Sequence, residues 1–175
     1  MKVIKSWLFF IFLLDSSCAF AQALTPITLS YSLSKTGYKA ADTVDFIINA
    51  KIKKGWCLYS SEFAADGPIK FECVVEKSNA FFLLGPLLAY NPFAHYDEVW
   101  EAEVKIFEEV AQFRLPMVVK KSGKIIFRAR IEGQGCNEVC VPLSTTIALD
   151  LSTLTYSDYV SASPSVYSHY EKHSK

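Results

Sequence analysis

The sequence carries no surplus of charge: 18 Lys and Arg balance 18 Asp and Glu, and no basic run exceeds two residues. It therefore lacks the basic patch that nucleic acid or an anionic membrane surface would require. Helical periodicity is almost missing, which argues against a helix bundle. There is no internal repeat, Gly-rich phosphate loop, serine-centred elbow or paired-carboxylate arrangement. After the first residues, no apolar run nears the roughly 20 residues that span a bilayer. Potential metal ligands are scarce, with three His and five Cys. His169 and His173 sit in a polar tail without a third ligand and read as solvated. His95 reads as a loop residue rather than a base. Only one close cysteine pair exists where a zinc site needs two. Neither a metal nor a cofactor is expected.

What is present suits a packed domain. Hydrophobic residues make up 51% of the 175 and charged residues 21%, which excludes a disordered chain. Thirteen Phe and nine Tyr favour strands. The start of the chain has its own character. Lys2 and Lys5 precede the apolar run Trp7 to Leu14, and Ala19-Phe20-Ala21 offers small residues where a signal peptidase reads. Residues 1–21 are therefore expected to be a cleaved signal peptide, leaving no membrane span and a periplasmic protein. Lipidation at Cys18 ranks lower, because Asp15 stands where such a signal wants Leu. Removing Cys18 leaves Cys57, Cys73, Cys136 and Cys140, an even count that fits an oxidising compartment.

Residues 22–151 read as one β domain. Thr43 to Ile52 is rich in β-branched residues and ends at a Lys53-Lys54-Gly55 turn. Trp56 to Ser60 is extended, with Trp56 and Leu58 on one face and Cys57 and Tyr59 on the other. Ile69 to Val75 is a strand with Ile69, Phe71 and Cys73 on one face. Gln112 to Lys120 places Phe113, Leu115 and Met117 inward, and Pro116 suggests an edge strand. Lys124 to Ile131 turns Ile125, Phe127, Ala129 and Ile131 inward, and Leu143 to Leu151 is the last strand. Seven or eight such strands predict an all-β antiparallel sandwich. Tyr90 to Glu101 reads as a long aromatic loop, a usual place for function. Residues 152–175 read as a polar tail.

The sharpest feature is Glu132-Gly133-Gln134-Gly135-Cys136-Asn137-Glu138-Val139-Cys140-Val141-Pro142, with two cysteines four positions apart between expected strands. A bridge closing so short a loop adds only about 2 kcal/mol. Strained, exposed bonds of this kind are easier to reduce. On spacing alone, a redox role and a structural role stand about even.

This segment resembles the active-site loop of the N-terminal domain of the thiol:disulfide interchange protein DsbD. Two further segments agree in order. Lys54-Gly55-Trp56-Cys57-Leu58-Tyr59-Ser60, followed by Gly67-Pro68-Ile69, is similar to that family's "GW-x-LYS" strand. Tyr96-Asp97-Glu98-Val99-Trp100 resembles its acidic-aromatic cap. The resemblance spans roughly Thr25 to Leu151 and implies an immunoglobulin-like sandwich. It implies that Cys136 and Cys140 are the redox pair, with Cys140 attacking and Cys136 resolving. Trp100 would be the cap aromatic beside Val99, Asp97 and Glu98 the acidic residues near the thiols, and Tyr59 and Cys57 would line the site. The partners implied are thioredoxin-fold proteins or a membrane-bound thiol reductase.

The sequence also departs from the family. Three residues separate the cysteines where four or five are usual, and Pro142-Leu143 replaces Pro-Pro. Val99-Trp100 replaces a Phe-containing pair. The family protein continues into a membrane domain and a thioredoxin-like domain that this sequence does not contain, so exchange is expected by docking to another chain. No His or Lys neighbours the cysteines, and Glu138 would raise a thiol's pKa, so no strongly acidic thiol is expected. Cys57 and Cys73 read most simply as buried free thiols or a structural bridge; the sharper alternative puts Cys57 beside the redox pair. The competing function is a non-catalytic binding module in which Cys136–Cys140 is a permanent staple.

Overall fold

The computed structural model describes residues 25–155. The expected signal segment 1–21, Cys18, His169, His173 and most of the expected tail lie outside them. Eleven strands form: β1 Ile27–Leu33, β2 Thr43–Ile52, β3 Cys57–Tyr59, β4 Glu72–Val75, β5 Phe81–Leu83, β6 Leu88–Ala89, β7 Phe93–Asp97, β8 Ala102–Glu108, β9 Val110–Val119, β10 Ile126–Cys136 and β11 Cys140–Asp150. They build two antiparallel sheets. One runs β1-β2-β9-β5 with β6 also on β9; the other runs β11-β10-β3-β8-β7 with β4 also on β10. The result is an antiparallel β-sandwich, as the alternating pattern predicts, and of the immunoglobulin-like kind that the resemblance implies.

Alternation explains the main core. Phe46 of β2 stacks on Phe127 of β10 with ring centroids 4.2 Å apart, and Phe113 of β9 stacks on Phe71, ahead of β4, at 3.8 Å. These stacked pairs join the inner faces of the two sheets, and all four rings are fully buried. Ile125, Phe127, Ala129 and Ile131 point inward as expected. β3 divides as its alternation predicts. Trp56 and Leu58 enter the main core, while Cys57 and Tyr59 join a smaller cluster on the other face with Val104, Ile106 and Cys136.

Three expectations need correction. Pro116 does not mark an edge, because β9 pairs with β2 on one side and with β5 and β6 on the other. Its carbonyl accepts from the Leu84 N–H, where the neighbouring chain passes between β5 and β6. The N and O of a strand residue point the same way, so the missing donor faces this interruption and costs little. Ile69 is exposed rather than inward, and β4 begins only at Glu72. Tyr90 to Glu101 is largely ordered as the hairpin of β7 and β8 rather than a loop. At the end of the described residues, Leu151–Thr153 is a short 3-10 turn, and the Leu33 N–H donates to the Thr155 carbonyl, so the described fold continues past residue 151. Among the described residues, no helix is long and apolar enough to cross a membrane.

Candidate functional site

β10 does not stop before the cysteines. It runs through Gly133-Gln134-Gly135 to Cys136, and β11 begins at Cys140, so both cysteines are strand residues joined by the turn Asn137 to Val139. The Asn137 side-chain oxygen accepts from the Val139 N–H at 3.0 Å and holds that turn. Register places Cys136 directly opposite Cys140, with Cα atoms 4.2 Å apart, and the two are joined as a disulfide. Glycine at 135 follows from crowding on the core face, since a Cβ there would lie 2.7 Å from Ile27 Cδ1.

The two sulfurs differ in access. Cys136 is 6% exposed, whereas Cys140 is on the surface. Gln134 shares the face of Cys136. Its side-chain N–H donates to Cys136 Sγ at 3.3 Å, and its oxygen accepts from the Ile69 N–H at 3.1 Å. An amide N–H aimed at sulfur favours the thiolate that forms when the bond opens. Gln134 has no role assigned from sequence alone; its signal is the two-residue spacing to Cys136, which puts both on one face once the segment is a strand.

The pair opens onto a cleft of about 400 Å³ lined by Cys57, Tyr59, His95, Tyr96, Asp97, Glu98, Val99 and Glu108, among others. Cys57, Tyr59, Asp97, Glu98 and Val99 are thus brought together with Cys136 and Cys140. Trp100 borders this lining, with its side chain hydrogen-bonded to Tyr59. Its indole lies against Gly67, where φ is +123° and a Cβ would collide with the ring. Trp56, Tyr59 and Tyr96 are aromatics of the cleft lining, while Val99 at the hairpin tip is 81% exposed. Tyr96 belongs to the expected cap segment, Glu108 has no site role assigned from sequence alone, and His95, expected as a loop residue, lies on β7.

Asp97 organises this tip. One carboxylate oxygen accepts from the Tyr59 hydroxyl at 2.5 Å; the other accepts from the Val99 and Trp100 N–H groups at 2.9 and 3.2 Å. Burial first, and then the bond to Asp97, push the Tyr59 pKa up, so its hydroxyl stays a proton donor. Glu108, opposite Cys57 on β8, has its pKa raised by burial, which the nearby His95 opposes. Burial also raises the Cys57 thiol, with the Asp97 and Glu108 charges adding to it and a backbone bond from Cys136 opposing it. Cys73 lies elsewhere: it pairs with Ile131 and packs on the main core, and burial pushes its pKa up to about 11. Both thiols are free. Among the described residues, no group of three or more His, Cys, Asp or Glu is placed to hold a metal.

Comparison with known proteins bears on this arrangement. Curated proteins include no significant match. Among solved structures, the N-terminal periplasmic domain of ScsB from Proteus mirabilis is similar at 13% identity and a TM-score of 0.53, covering 85% of this chain and 53% of that one. The reduced DsbD N-terminal domain of Neisseria meningitidis is 18% identical, with a TM-score of 0.42, over 70% of this chain and 84% of that one. The complex of the DsbD and PilB N-terminal domains from Neisseria meningitidis gives 17% identity and a TM-score of 0.44, over 69% and 80%. Residues 31–152 match the family described as thiol:disulfide interchange protein DsbD, N-terminal. The chain, most of it within that match, belongs to the DsbD N-terminal domain family.

Proposed function

We propose that this chain is an exported periplasmic domain that passes reducing equivalents between a membrane-bound thiol reductase and thioredoxin-fold or other envelope proteins. The exchange runs through Cys136 and Cys140, after cleavage of residues 1–21 and within a domain spanning 22–151. Membership of a thiol–disulfide exchange family supports the chemistry, and the ScsB relative is itself described as periplasmic. The observation that carries the reading is the asymmetry of the pair: a disulfide with one sulfur on the surface and the other buried beneath it.

That asymmetry supports a division of roles. In the reduced domain, the Cys140 thiolate attacks a partner disulfide and forms a mixed disulfide. Cys136 then attacks Cys140, the partner leaves as a dithiol, and the domain is left oxidised. A reductase reverses the sequence. Gln134 steadies charge on Cys136. The β7–β8 tip, held by Asp97 and carrying Val99, borders the cleft and limits access until a partner docks. Val139, 56% exposed beside Cys140, offers apolar surface for that docking.

The test is the reduction potential of the Cys136–Cys140 bond in glutathione buffers. We expect a value near −200 mV, together with exchange onto an oxidised thioredoxin-fold protein that Cys140→Ser abolishes. A potential well below about −300 mV marks a permanent staple and returns the chain to a binding module.

A further inference from the structure

Exchange with a partner needs two sulfurs, but the sheet brings three together. β10 lies between β11 and β3, and register places Cys140 on one side and Cys57 on the other, each directly opposite Cys136. Directly opposed residues on antiparallel strands share a face, with Cα atoms about 4.5–5.5 Å apart. A disulfide needs about 4.4–6.8 Å. Cys57, Cys136 and Cys140 all line the same cleft, and Cys57 packs against the small apolar cluster that contains Cys136. The row also has the right direction. Thiol–disulfide exchange proceeds with the attacking sulfur, the attacked sulfur and the leaving sulfur close to a line. β3 flanks β10 on the side away from β11, so the three cysteines follow one another across the sheet in that order.

We propose that Cys57 is a third exchange thiol that moves the bond from Cys136–Cys140 to Cys57–Cys136. This rests on the reading of the Cys136–Cys140 bond as an exchanging one. The Cys57 thiolate attacks Cys136 Sγ and a Cys57–Cys136 bond forms. The Cys136–Cys140 bond breaks, Cys140 leaves with its electron pair, and it takes up the proton that Cys57 released. No electrons enter or leave the domain, and one disulfide persists. The outcome is an oxidised domain that presents a free, exposed Cys140 thiol, able to attack a partner disulfide without prior reduction. The buried sulfur stores the oxidation while the surface sulfur stays nucleophilic.

The test uses the chain with Cys18→Ser and Cys73→Ser, which leaves the three site cysteines. The oxidised protein is treated with N-ethylmaleimide, digested without reductant and mapped by mass spectrometry. We expect two populations: Cys136–Cys140 linked with Cys57 alkylated, and Cys57–Cys136 linked with Cys140 alkylated, the second disappearing in Cys57→Ser. In Cys140→Ser, oxidation should link Cys57 to Cys136 in more than half of the molecules, with the circular dichroism of the parent. The proposal is overturned if Cys140 is never alkylated in the oxidised parent, whether or not the link forms in Cys140→Ser. A Cys136–Cys140 bond that no glutathione buffer opens defeats the exchange reading itself. A bond that glutathione opens but that never shifts to Cys57 defeats this inference alone.

Discussion

Cys57 and Cys73 are both free, both half-buried, and both on short strands that pair with the same side of β10, yet they belong to different parts of the molecule. Cys57 stands opposite Cys136, and Cys73 stands opposite Ile131. Five positions along one strand is an odd number, so the two partners face opposite sides of the sheet, and each cysteine follows its partner. One lines the cleft and the other packs on the main core. The chemistry of a cysteine in this sandwich is therefore decided by register parity, not by burial alone or by distance along the chain.

The strongest way to break this comparison is to move a sulfur by one residue. Leu58 is fully buried on the core face of β3. Leu58→Cys combined with Cys57→Ser keeps a thiol on the same strand but on the wrong side. We expect a loss of about 2–4 kcal/mol of stability from the missing core volume, measured by urea denaturation. We also expect no disulfide with Cys136 on oxidation. A link between the relocated thiol and Cys136 would show that parity does not govern the site.

A smaller effect sharpens the contrast kinetically. With its pKa pushed up to about 11, Cys73 holds about 100-fold less thiolate at pH 7.5 than an ordinary cysteine, whose value is near 9. Its iodoacetamide reaction in the native chain should be slower by at least that factor than in the unfolded chain. It should accelerate as pH rises toward about 11, because the thiolate is the reactive form. Cys57 should react faster than Cys73, since it opens onto the cleft. Equal rates would remove the distinction.

The smallest effect concerns Gln134. In Gln134→Leu, the N–H bond to Cys136 Sγ is gone, while the lost acceptor for the Ile69 N–H weighs equally on both redox states. One hydrogen bond of about 1 kcal/mol corresponds to about 20 mV for a two-electron couple. The potential should fall by roughly that amount, because the reduced form loses its support. A rise in potential would mean that the bond favours the disulfide instead.

Much of the fold was legible in the residues. β2 occupies Thr43 to Ile52 as its β-branched run indicates, and the two faces of β3 divide as alternation predicts. Less legible was β10 beyond Ile131, because Glu-Gly-Gln-Gly reads as part of a loop between strands when glycine is depleted in strands. It is a strand because β11 pairs along its whole length and β3 at its end, with glycine at 133 and 135 leaving room for Phe71 and Ile27. The β7–β8 hairpin was hidden for a related reason. Its tip is held by Asp97, whose carboxylate serves both Tyr59 and the Val99 and Trp100 amides, contacts that no local pattern records. Trp100 stood out as an aromatic near the site; what no local pattern records is its seat, against the absent side chain of Gly67 and bonded to Tyr59.

Local chemistry in the sequence was enough to determine an antiparallel sandwich and to single out two cysteines four positions apart, because alternation and turn residues act over short stretches of chain. Which sulfurs meet was decided only by the tertiary structure. The register between β3, β10 and β11 is fixed by core packing across segments distant in sequence, and that register, through its parity, brings Cys57 to Cys136 and sends Cys73 to the core.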